Sequence, residues 1–103
     1  MVATNEILED IADALRIDYL DDEEKKKVMS RLSRCVAGAE SWLSNTGVTV
    51  DYEDSRVFDA VTMYAGRRYD DPANTETYGT GSMALDALAE QIRISQKASD
   101  SDA

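Results

Sequence analysis

Histidine is absent from this 103-residue chain, and with it the side chain that most often serves as general base, metal ligand or activator of a nucleophile. A single cysteine, Cys35, together with no histidine excludes the standard zinc sites and any internal disulfide. What remains for chemistry is carboxylate. Asp21/Asp22 and Asp70/Asp71 are adjacent pairs that, in principle, move protons or hold a divalent ion. Both flank helical stretches, where neighbouring acids serve as caps and solubilising groups. Asp18 to Glu24 does not meet the calcium-loop pattern, which needs alternating oxygen ligands around a central glycine. Gly79-Thr80-Gly81-Ser82 resembles a phosphate cradle, but it follows no strand and lacks the lysine of a nucleotide loop, so it reads as a turn. The expectation is a protein without catalytic residues, metal or cofactor.

Charge carries more information. The formal net charge is −10, from 21 acidic and 11 basic residues, a balance that opposes binding to nucleic acid or anionic membranes. It is unevenly spread. Residues 1–24 hold nine acids and one base, Arg16, whereas residues 25–34 hold five bases and no acid. Lys27, Arg31 and Arg34, at i, i+4 and i+7, form a basic stripe. Glu9 and Asp13 belong to an acidic stripe on an earlier helix. Opposite charges on different faces suit head-to-tail association of copies, and a ring closes if the rotation permits. The simpler reading is that the stripes are solvated faces or pair within one subunit.

The stretch that must position these groups runs from Asp22 to Gly47. Val28, Leu32, Cys35, Val36, Ala39, Trp42 and Leu43 recur every three or four residues, one face of a helix about six turns long. Asp21 or Asp22 caps its start, and Asn45-Thr46-Gly47 supplies the stop, Gly47 taking a left-handed conformation. Before it, Thr4 caps a short amphipathic helix over residues 5–15 whose Ile7, Leu8, Ile11, Ala12 and Leu15 share a face. In the connector between them, Ile17 and Leu20 are expected to tuck beneath the long helix. After it, residues 48–52 alternate like a strand but have no partner strand in the chain, so they read as an extended crossing segment. A third helix runs from Arg56 to Tyr69, capped by Asp54 or Ser55 and stopped before Pro72. A polar loop spans 70–81, with Asp70, Asp71, Tyr78 and Gly79 as candidate partner contacts. Ser82 caps a fourth helix from Met83 to Ile94.

The expectation is therefore an all-α domain of four helices over residues 1–94, with a disordered acidic tail over 95–103. Its core should include Ile11, Leu15, Val28, Leu32, Val36, Trp42, Phe58, Val61, Leu85 and Leu88. No apolar run approaches the ~20 residues needed to span a bilayer, and no signal-peptide pattern opens the chain. The lone cysteine points to synthesis in a reducing cytoplasm.

Read together, these segments resemble the head–tail connector (neck adaptor) proteins of tailed bacteriophages with long tails. The likeness covers roughly residues 5–94. It rests on a short helix leading to Leu15-Arg16-Ile17-Asp18, an acidic opening to a long helix, and its Ala39-x-x-Trp42-Leu43 end with the Gly47 turn. Ala60, Tyr64, Arg67 and Tyr69 on the third helix follow, then Tyr78-Gly79 and a short helix with Leu85, Leu88 and Arg93. Two departures are the missing proline before the third helix, where Tyr52-Glu53-Asp54-Ser55 stands, and a longer, more polar 70–81 loop.

The resemblance implies a structural subunit of the virion neck, assembled in the bacterial host cytoplasm into a ring, twelvefold in the virion. Such a ring docks beneath the portal protein, offers a platform to the next neck or tail-completion protein, and lets DNA pass without specific binding. The competing readings are a small acidic binding protein, such as a DNA mimic or inhibitor, and a helical regulatory domain. The five-base block interrupts the regular acid spacing a mimic needs, and no second basic recognition helix is present for a DNA-binding domain.

Overall fold

The computed structural model describes residues 1–70 and 83–101. It is all-α, with four helices: α1 (Asn5–Ala14), α2 (Asp22–Asn45), α3 (Ser55–Asp70) and α4 (Met83–Ser101). No strand occurs among the described residues. The long helix α2 is the axis. It packs most extensively against α3 and also carries α1, while α4 docks on α3. Fully buried Ile11, Leu32, Val36, Leu43, Val57, Val61, Leu85 and Ile92 bring all four helices into one core.

Local chemistry explains the boundaries. The Thr4 hydroxyl accepts from Ile7 N–H at the start of α1, and Asp21 Oδ1 accepts from Glu24 N–H at 2.8 Å at the start of α2. Glu24 reaches back to Leu20 N–H, so two free donors at that end are satisfied reciprocally. Asp54 caps α3 through Arg56 N–H at 3.0 Å. Two helices end in the same way. After α2, Gly47 is left-handed at φ 91°, with Gly47 N–H donating to Ser44 O and Val48 N–H to Leu43 O. After α1, Arg16 takes that position at φ 55°, with Arg16 N–H donating to Asp13 O and Ile17 N–H to Ala12 O. Both are Schellman closures, and only one uses the residue that adopts the conformation freely.

Small residues set the helix spacing. A Cβ on Gly66 would sit 2.7 Å from Leu15 Cδ2, and one on Gly38 would sit 2.5 Å from Arg68 Nη1. Gly66 thus admits the end of α1 against α3, and Gly38 lets the Arg68 guanidinium lie over α2.

Several expectations need correction. Trp42 is half-buried at the rim of the core, stacked on Tyr64 with ring centroids 5.0 Å apart. Leu15, Phe58 and Leu88 are also half-buried against the core, and Val28 lies outside that packing. Leu20 is 93% exposed, because the connector turns outward to place Asp21 at the cap; Ile17 alone of that pair packs inward. Asp70 is the last residue of α3 rather than the first of a loop, and the remainder of the expected 70–81 loop lies outside the described residues. The fourth helix does not stop at Ile94 but continues to Ser101. Its extension has a tertiary tether: Gln96 Oε1 accepts Thr49 N–H, and Gln96 Nε2 donates to Thr49 O, both at 2.8 Å. One side-chain amide thereby serves the crossing segment 48–52 as a neighbouring strand would.

Candidate assembly faces

The positions of the charged groups follow from helix geometry around α2. Lys25, Met29 and Ser33 face α1, where they line a groove of about 480 Å³ together with Leu8 and Glu9. At 100° per residue, Lys27, Arg31 and Arg34 fall roughly half a turn away from Lys25. They lie on the flank turned towards the C-terminal end of α3.

On the α1 side, charges meet partners within the chain. Lys25 Nζ is 3.5 Å from Glu9 Oε1 and lies 5.5 Å from the centroid of the Tyr19 ring. The Tyr19 hydroxyl and the Glu9 carboxylate together hold the Lys25 ammonium's pKa above its usual range. Asp13 is exposed beside this pair. Further along the same side, Glu40 is 6% exposed, and its carboxylate accepts N–H groups from Val2 and Ala3.

On the other flank, Arg31 is the one cation of the stripe with a partner among the described residues. Its guanidinium lies 4.3 Å from the Tyr69 ring centroid, and Nη2 donates to Tyr69 O, closing the carbonyl end of α3 with a cation. Lys27 and Arg34 are exposed, and among the described residues neither has a hydrogen-bond or ion-pair partner. Arg68 approaches the same flank over Gly38. Buried Cys35 registers all of this: burial pushes its thiol pKa up, while the charges of Arg68, Arg31 and Arg34 pull it the other way. The thiol stays protonated and acts as a small apolar side chain.

Of the residues singled out in the sequence, then, Glu9 and Asp13 sit together on the α1 side, and Lys27, Arg31 and Arg34 together on the opposite flank. Among the described residues, no ion pair joins the two sets. Asp70 is exposed at the end of α3; Asp71, Tyr78 and Gly79 lie outside the described residues. Missed in the sequence were Glu40, whose partners are backbone groups, and Arg68, which extends the basic flank from a second helix. Gly38 was the available signal for Arg68, a glycine in a helix interior that marks a close approach.

Among the described residues no cluster of three or more His, Cys, Asp or Glu side chains is placed to hold a metal ion, and no described helix is long and apolar enough to cross a membrane. No family model matches the chain, and comparison with curated proteins and with solved structures likewise yields no match.

Proposed function

We propose that this chain is a structural subunit of a tailed-bacteriophage neck, a non-catalytic head–tail connector that assembles head-to-tail into a ring beneath the portal. The observation that carries the reading is the basic flank of α2. Lys27 and Arg34 have no acid partner among the described residues, and Arg31 and Arg68 gather like charge with Arg34 around Cys35 in a chain that is otherwise strongly acidic. Like charges gathered on one flank repel, and an acidic surface laid against them relieves that repulsion. The exposed acidic face of α1, half a turn away, is such a surface, and it cannot reach this flank within its own chain. Two unlike faces on one subunit favour a heterologous, repeating contact over a two-fold dimer.

The small all-α architecture and the order of its segments are in keeping with the connector resemblance. In this reading the ring meets the portal on one side and the next neck or tail-completion protein on the other. The acid excess of −10 per subunit suits a channel through which DNA slides without sticking. Native mass spectrometry across a concentration series tests the proposal. A closed oligomer of one large stoichiometry is expected, with the twelvefold ring the form in the virion. A chain that stays monomeric up to high micromolar concentration and alongside a portal protein contradicts it.

A further inference from the structure

Leu20 is the most exposed large apolar side chain among the described residues, at 93%, and its backbone is held in place there. Its N–H donates to Glu24 Oε2, and the next residue, Asp21, accepts from Glu24 N–H. In a capping box of this kind the residue before the cap ordinarily packs on the fourth residue of the helix. That fourth residue is Lys25, whose ammonium is engaged by Glu9 and the Tyr19 ring. The apolar staple is therefore missing, and Leu20 stands out from its own chain as a fixed knob. The tip that carries it is acidic, with Asp18, Asp21 and Asp22 all exposed.

The groove between α1 and α2 has the complementary character. It measures about 480 Å³ and is lined by apolar Leu8 and Met29, with Lys25 and Lys26 among its other walls. Glu9, also lining it, is met by Lys25. Lys26 is exposed and has no hydrogen-bond or ion-pair partner among the described residues, so the groove keeps one uncompensated cation. We propose that this groove is the receptor for Leu20 of a second copy of the chain. The leucine side chain lies against Leu8 and Met29, and the aspartates beside it face Lys26. The charge match selects this occupant, because an apolar segment with basic neighbours would be repelled there. Knob and groove are parts of one chain, so every copy brings both halves of the contact. An apolar anchor in a pocket, ringed by charge, is the arrangement that concentrates binding at few residues, whereas exposed ion pairs alone hold copies together weakly. The contact stands on knob and groove whether the copies close into a ring or stop at a pair; in a ring it supplies the anchor that the charged faces lack.

Sedimentation velocity on the full chain, across a concentration series near physiological salt, tests it with two variants at exposed positions. Leu20→Ala removes the knob, and Ser30→Trp fills the groove from α2. Each is expected to keep the parent's helicity and to raise the concentration at which copies associate by about tenfold or more. A 1:1 mixture restores one contact, Leu20 of the Ser30→Trp chain in the open groove of the Leu20→Ala chain. It should give a mixed pair, identified by mass, at concentrations where either variant alone is monomeric. Independently of any variant, NOEs are expected between Leu20 methyls of labelled parent chains and the Met29 methyl of unlabelled ones. Parent copies that pair through these methyls and grow no further would uphold this contact and contradict the ring. A ring that Leu20→Ala leaves at full strength would overturn the contact and leave the ring standing. A parent that does not associate, an associated parent without those NOEs, or two weakened variants whose mixture recovers nothing would each overturn it. So would a loss confined to binding of a different protein, which would assign Leu20 to that partner.

Discussion

The two flanks of α2 handle charge in opposite ways. Towards α1, Lys25 meets Glu9 and Glu40 meets the backbone of residues 2 and 3, so charge is absorbed by the chain itself. Towards the end of α3, Arg31 caps a helix, but Lys27 and Arg34 meet nothing among the described residues. Both flanks belong to one helix and are equally readable as periodicity. The lesson is that a charged stripe becomes a candidate interface only once its neighbours are known. Composition alone could not distinguish a flank that is neutralised internally from one that is not.

The apolar part of the basic flank is where the largest stability effect is expected. Trp42→Ala removes the stack on Tyr64, and because Trp42 is half-buried the loss should be about 2–3 kcal/mol, below the ~3–5 kcal/mol of a fully buried tryptophan. Chemical denaturation measures it. A loss below about 1 kcal/mol would mean that the stack contributes little to holding α3 on α2.

Arg31 and Arg34 differ by three residues and should differ in effect. Arg31→Ala forfeits the Tyr69 cation–π contact and the cap on α3, costing about 1 kcal/mol. Arg34→Ala should stay within about 0.5 kcal/mol of the parent, as exposed substitutions do. Equal losses in the two denaturation curves would erase the distinction between a committed and an uncommitted cation.

A smaller effect of opposite sign is expected where α1 ends. Arg16 occupies the left-handed position that Gly47 occupies after α2. Arg16→Gly should therefore stabilise the fold by about 0.5–1 kcal/mol, less what the freer unfolded chain takes back. Destabilisation would show that the Arg16 side chain makes a contribution larger than its backbone strain.

The smallest expected effect is an acid-side one. Hydrogen bonds from the Arg56 side chain hold the Asp54 carboxyl below its ordinary range. Its contribution is present above the unfolded pKa of about 3.9 and is lost as pH falls through the folded value. Asp54→Asn should flatten that acid limb of a stability–pH curve. An unchanged limb would place the acid sensitivity elsewhere.

How much of this was legible in the sequence depends on what each residue's partner is. Helices, caps and the Gly47 stop follow from spacing and local hydrogen bonding, so α2 was readable from Asp22 to its end. Glu40 was not, because a charged residue beside an apolar face reads as solvated, and its partners are N–H groups 37 and 38 residues away. The polar stretch after Ile94 looks like a tail until Gln96 finds Thr49. The left-handed Arg16 carries no glycine or asparagine to announce it. Trp42 was legible as apolar, but its place at the rim is decided by how α3 crosses α2. The stripes were legible as charge; which cations stay uncommitted was not.

Sedimentation velocity on charge-swapped chains tests the central claim most directly. Lys27→Glu with Arg34→Glu reverses the uncommitted flank and leaves Arg31 on α3. Asp10→Lys with Asp13→Lys reverses the α1 face without touching Glu9, which Lys25 holds. The account predicts that each double variant keeps the parent's helicity by circular dichroism and loses the large oligomer. It also predicts that the quadruple variant, or an equimolar mixture of the two, regains part of that oligomer near physiological salt. A reversed flank that assembles as fully as the parent, at low salt and near physiological salt alike, would contradict it.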